Sequence, residues 1–66
     1  MVNLEMLQQK IEESGMTKEA ICQKSGITKK TFYNRLKKPD FKIEEAKALT
    51  ETLHLSPSEM IDIFLR

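Results

Sequence analysis

The stretch Thr17 to Lys38, TKEAICQKSGITKKTFYNRLKK, decides the reading of this 66-residue chain. Two short helical patterns meet across Ser25-Gly26-Ile27, a three-residue joint containing glycine of the kind that links the two helices of a helix-turn-helix unit. Gly26 supplies the positive φ that such a corner needs, and Ile27 is the apolar wedge beneath it. Cys22 faces the crossing, where a short side chain lets the helices approach whatever its chemistry.

Working outward, an apolar residue, a capping residue and a second apolar residue five positions after the first mark a hydrophobic staple around an N-cap. Val2-Asn3 with Leu7, Met16-Thr17 with Ile21, Ile27-Thr28 with Phe32 and Leu55-Ser56 with Met60 all fit. Ser56-Pro57-Ser58-Glu59 is the strongest start, with Pro57 at the first helical position and Glu59 able to reach back as a capping box. Phe41-Lys42 with Ala46 lacks a good cap side chain, although Glu44 and Glu45 suit the positive end of a helix dipole. Gly15 and Gly26 end helices as left-handed residues, Pro39-Asp40 stops the third, and His54 has to serve where Gly or Asn is usual.

These signals predict an all-α chain of five short helices, at 4–14, 18–24, 28–37, 43–53 and 57–65, forming one domain over 1–66. Helical spacing places Leu4, Leu7 and Ile11, then Ile21 and Cys22, Phe32 and Leu36, Ile43, Ala46, Leu49 and Leu53, and Met60, Ile61 and Phe64 on core-facing stripes. Ile27 and Leu55 plug the core from the turns. Met1, Met6, Met16 and Met60 read as gap fillers.

Composition narrows the function. Eleven basic and ten acidic residues leave a net charge of only +1. Cys22 is the single cysteine, so no internal disulfide or Cys-rich metal site can form, and a reducing, cytoplasmic setting is expected. No apolar run approaches the roughly 20 residues that span a bilayer. One histidine, one cysteine, one tyrosine and no glycine-rich phosphate loop leave little from which to build a nucleophile, base and orienting group, so no enzyme is expected.

Thr17, Ile21-Cys22, Gly26-Ile27, Thr28 to Lys30, Phe32 and the tail Ala48-Leu49 through Leu53, Leu55, Ser56 and Met60 together resemble the lambda-repressor-like (Cro and XRE type) helix-turn-helix family. The resemblance covers nearly the whole chain, and TFYNRLKKPDF followed by an amphipathic helix is similar to short regulators of phages and mobile elements. It implies a five-helix domain that binds operator double-stranded DNA, commonly as a dimer, with helix 28–37 in the major groove and repression by occupancy. The sequence departs from the family pattern at Lys18, where Gln is frequent, at Ser25, and at Arg35, where an apolar residue is usual and Leu36 is expected to take over the anchoring.

Spacing of about 100° per residue independently puts Lys29, Lys30, Tyr33, Asn34 and Lys37 on one side of that helix and Phe32 and Leu36 on the other. Asn34 suits bidentate pairing with adenine, Lys29 or Lys30 suits guanine O6 and N7, and Tyr33 suits a thymine methyl or a phosphate. Thr17, Lys18, Thr28, Lys37, Lys38 and Lys42 are the expected backbone contacts. Residues 16–40 carry seven basic side chains against Glu19 and Asp40, a local +5 flanked by −2 on each side. That asymmetry suits nucleic acid, although a solvated helix face is also lysine-rich.

The final helix has an apolar arc too wide for one small core. Ile63, Phe64 and Leu65 are therefore expected at the interface of a weak homodimer, since a palindromic operator asks for twofold symmetry. The rival expectation is a helical protein-interaction module or antitoxin-like partner that uses the same surface. Neither a cofactor, a metal, a membrane nor a small-molecule substrate is expected.

Overall fold

Helix starts in this protein are set by side chains that accept the first unpaired backbone N–H groups, and a computed structural model describing residues 2–66 shows each of them. Met1 lies outside the described residues. Asn3 Oδ1 accepts from the Met6 amide at 3.1 Å and opens α1, Leu4–Glu13. Thr17 accepts from Ala20 at 3.1 Å and opens α2, Lys18–Ser25. Thr28 accepts from Thr31 at 3.2 Å and opens α3, Lys29–Lys37. Ser56 accepts from Glu59 at 3.1 Å, Glu59 returns the bond by accepting from the Ser56 amide at 2.9 Å, and α5 runs over Pro57–Met60. α4, Ile43–Thr52, starts without a cap from Lys42; instead the Glu45 carboxylate accepts the Lys42 amide at 2.9 Å.

Among the described residues the regular structure is entirely helical, with five helices and no strand. α2 packs on α4 and on α3, and the C-terminal segment packs on α1. One core results, built from Leu7, Ile11, Ile21, Cys22, Phe32, Ala46, Leu49, Leu53, Leu55, Ile63 and Phe64. Phe32 is fully buried, which fixes which side of α3 looks inward. Leu4, Met6, Met16, Ile27, Leu36 and Met60 lean against this core from its edge. Among the described residues no helix is long and apolar enough to cross a membrane.

The first two corners are one device used twice. Ser14-Gly15-Met16-Thr17-Lys18 and Ser25-Gly26-Ile27-Thr28-Lys29 differ only in the apolar residue. In each, glycine is left-handed, at φ 72° and 77°. In each, the serine hydroxyl donates to a carbonyl of the ending helix, Ile11 at 2.6 Å or Cys22 at 3.4 Å, and accepts the amide two residues on. Threonine then caps the next helix. The corner between α4 and α5 dispenses with glycine: His54 itself is left-handed at φ 55°. There the Leu55 amide donates to Thr50 O at 2.9 Å and the His54 amide to Glu51 O at 3.3 Å, the pair of bonds that defines a Schellman ending.

Two sequence expectations are corrected here. Ile43, placed on the core stripe, is 75% exposed because it is the first residue of α4, ahead of the turn that meets α2. The final helix does not stay α-helical: after Met60 it widens into a π-helical turn, Ile61–Leu65. Each residue then advances less around the axis than α-helical spacing assumes, so the inward face shifts along the chain. Ile61, expected inside, is 40% exposed, while Ile63, expected at the edge, is fully buried and Phe64 nearly so. Ile63 and Phe64 therefore belong to the monomer's own core and are not available as a dimer surface; Leu65 remains exposed. Phe64 meets Phe41 edge to face at 5.5 Å, and the Ile63 carbonyl accepts the Asn3 amide at 2.7 Å, tying the two ends of the chain together.

Ion pairs link helices at the rim. Lys10 of α1 pairs with Glu59 of α5. Arg35 of α3, unexpected at a position the resemblance makes apolar, forks onto Glu45 of α4, Nε to Oε1 at 2.9 Å and a terminal nitrogen to Oε2 at 3.4 Å. Burial works against the charged form of Glu45, but the Arg35 guanidinium, the Lys42 amide and their charges outweigh it and hold the carboxyl below its ordinary range.

Nothing lies within 4 Å of a Cβ built on Gly26, so Gly26→Ala meets only backbone strain and should cost about 1–2 kcal/mol. His54→Gly relieves the same strain and should raise stability by up to about 1 kcal/mol, urea titration of both variants showing opposite signs. For Glu45, a folded pKa below the unfolded value of about 4.3 means stabilisation that is full above that value and lost as pH falls through the folded one. The stability difference between the wild type and Glu45→Gln should be present near pH ~7 and close below about pH 4; a difference unchanged across that range would place the stabilisation elsewhere.

Candidate nucleic-acid interface

α3 sits between a left-handed corner at its start and Pro39 at its end, and with Phe32 locked into the core its opposite side must face solvent. Lys29, Lys30, Tyr33, Asn34 and Lys37 are all exposed, as the spacing predicts, and so is Lys38 just beyond the helix, whereas Thr31, Arg35 and Leu36 are half-buried. Leu36 leans on the core and Arg35 is held by Glu45, so the two share the inward anchoring.

The N-terminus of α2 joins this face. Lys18 Nζ lies 5.8 Å from the centroid of the Tyr33 ring, within cation–π range, and Tyr33 in turn meets Phe32 edge to face at 6.1 Å. Tyr33 is thus 41% exposed but steadied from two sides, one apolar and one cationic. Lys29 is paired: its Nζ is 3.3 Å from Glu19 Oε1, linking the first turn of α3 to the first turn of α2. Glu19 enters the sequence reading only as a countercharge, yet it stands among the expected contact residues. Its partner could not be read from spacing alone, because the two helices meet through the Gly26 corner.

The threonines have prior commitments. Thr28 Oγ1 accepts the Thr31 amide and bonds the Thr31 hydroxyl at 3.0 Å, and Thr17 Oγ1 accepts the Ala20 amide. Both remain exposed at the starts of their helices. Asn34, Arg35, Lys37, Lys38 and Asp40 line a shallow depression at the far end of α3. Lys42 is exposed at the N-cap position of α4.

Charges on the face fall into two groups. Arg35 and Lys29 are engaged by carboxylates, whereas among the described residues no ion pair holds Lys30, Lys37 or Lys38. Ammonium groups left in water are the ones that can release counterions on meeting a polyanion. Cys22 lies at the floor of a cleft lined by Glu19, Gln23, Gly26, Ile27, Thr28 and Lys29; burial pushes its thiol up, Lys29 opposing and Glu19 adding to the shift. That makes it a protonated packing residue rather than a nucleophile. Among the described residues no group of three or more His, Cys, Asp or Glu side chains is placed to hold a metal ion.

No family model matches the chain, nor does any curated protein or solved structure.

Proposed function

We propose that this chain is a sequence-specific double-stranded DNA-binding regulator, of the lambda-repressor-like kind its sequence resembles, that lays α3 in the major groove and represses by occupying an operator. The observation that carries this reading is the exposure of Lys29, Lys30, Tyr33, Asn34 and Lys37 along α3, with Lys38 exposed just past its end and Lys18 beside Tyr33. An α-helix with its side chains is about 10–12 Å across, and a major groove roughly 12 Å wide admits the nine-residue α3.

On this reading Lys29, Lys30, Tyr33 and Asn34 meet base edges, Asn34 supporting bidentate pairing with adenine. Lys18, Lys37 and Lys38 neutralise phosphates, with the capped ends at Thr17 and Thr28 and the outlying Lys42 assisting. A twofold dimer would place two α3 helices one helical turn, about 34 Å, apart. With Ile63 and Phe64 spent on the core, Ile61 and Leu65 are the apolar residues of the C-terminal segment left to meet a second copy.

A protein-interaction module is the second reading, favoured by the exposure of Ile43 and Leu65, large apolar residues with no core to enter. One experiment separates the two: selection from randomised duplexes, followed by affinity measurements from about 50 to 200 mM salt. Enrichment of a palindrome with half-sites one turn apart is expected, with affinity falling steeply as salt rises. Asn34→Ala should cost about 1–3 kcal/mol on the enriched duplex and relax it at one position, whereas Lys37→Met should weaken all duplexes alike and lower the salt slope by about 1. A single half-site would remove the dimer and keep the DNA reading. No enrichment, with flat salt dependence, would reject DNA binding in favour of a protein partner.

A further inference from the structure

The Lys29–Glu19 pair sits at the leading end of α3, with Nζ to Oε1 at 3.3 Å and both side chains more than half exposed. A carboxylate at this point is costly for a surface meant to touch phosphate, since it cancels the lysine's charge and repels the backbone. It is not needed to hold the corner, which the Gly26 turn, the Thr28 cap and buried Phe32 already fix. An exposed ion pair contributes little to stability, about 0–1 kcal/mol. Its chemistry has a better match than phosphate.

The ammonium carries three donors and the carboxylate only acceptors. In the major groove a G·C pair presents two acceptors, guanine N7 and O6, beside one donor, the cytosine N4 amino group. Lys29 can donate to guanine while keeping a proton on Glu19, and Glu19 can accept from cytosine N4. An A·T pair offers a different order: its purine presents one acceptor, N7, beside its own amino donor, so the ammonium loses the second acceptor and the carboxylate is left facing thymine O4, another acceptor. A lone phosphate offers acceptors only and competes with Glu19 for the same protons.

We infer that Glu19 and Lys29 act as one unit that reads a G·C base pair, making Glu19 a specificity-determining residue of the surface. The inference rests on the DNA-binding reading above. It assigns a role to the one carboxylate on the first turn of α2, and it makes Lys29 a base contact that is poor at gripping backbone.

The test uses the full chain and the duplex enriched by the wild type, with each position of the half-site changed in turn from G·C to A·T. Wild type should show one position near the leading end of α3 where the change costs on the order of tenfold in affinity. Glu19→Gln should keep the fold, reduce that preference several-fold, and steepen the salt slope on random duplex by about 1 as Lys29 becomes a phosphate contact. In a Lys29→Met background, Glu19→Gln should change neither readout. Unaltered preference and slope in Glu19→Gln would overturn the inference, as would an effect that persists without Lys29, which would mark simple repulsion. A wild type that enriches no duplex overturns the DNA-binding reading instead.

Discussion

A chain leaving α2 at Ser25 has three residues in which to end one helix, turn and cap the next, and a left-handed residue at Gly26 is what makes so short a joint possible. From that turn follow the entry of Ile27 beneath the corner, the Thr28 cap and the burial of Phe32 one turn later. Once Phe32 is inside, the helix has no rotational freedom left, and Lys30, Tyr33, Asn34 and Lys37 point outward as a consequence. The surface offered to a partner is therefore set by backbone geometry at a glycine that touches no partner itself.

Charge is divided by the same geometry. Arg35–Glu45 and Lys10–Glu59 tie helices together across the rim, α3 to α4 and α1 to α5, and are spent on the fold. Among the described residues Lys30, Lys37 and Lys38 make no such tie, and Lys18 lies over an aromatic ring. A net charge of +1 conceals this division, since most acids lie on the flanking segments. Screening acts over roughly 8 Å at physiological ionic strength, so the local balance matters more than the total.

Much of the architecture was legible because capping and corner chemistry is local. Asn3, Thr17, Thr28 and Ser56 announce helix starts through their own side chains, and His54 was readable as a left-handed terminator from the lack of any better residue. The repeat of Ser-Gly-x-Thr-Lys eleven residues apart encodes two matching corners, a signal that stands in the sequence but that staple and cap patterns alone do not single out. What stayed hidden depended on partners distant in sequence. Arg35 is inside the rim only because Glu45, ten residues on, meets it; Lys29 is paired only because α2 returns Glu19 to its side. The C-terminal segment misled for a different reason: stripes drawn at α-helical spacing fail once the helix widens after Met60, which exchanges Ile61 and Ile63 between surface and core.

If the protein works as proposed, α3 is the surface that meets duplex DNA. Backbone amide shifts of the labelled protein, followed by NMR while a selected duplex is titrated in, test this directly. The changes should concentrate from Thr28 to Lys38 and at Lys18 and Glu19, leaving Ile43 undisturbed, with smaller changes at Ile61 and Leu65 where a second copy joins. Changes centred on Ile43 and Leu65 with α3 silent would contradict it.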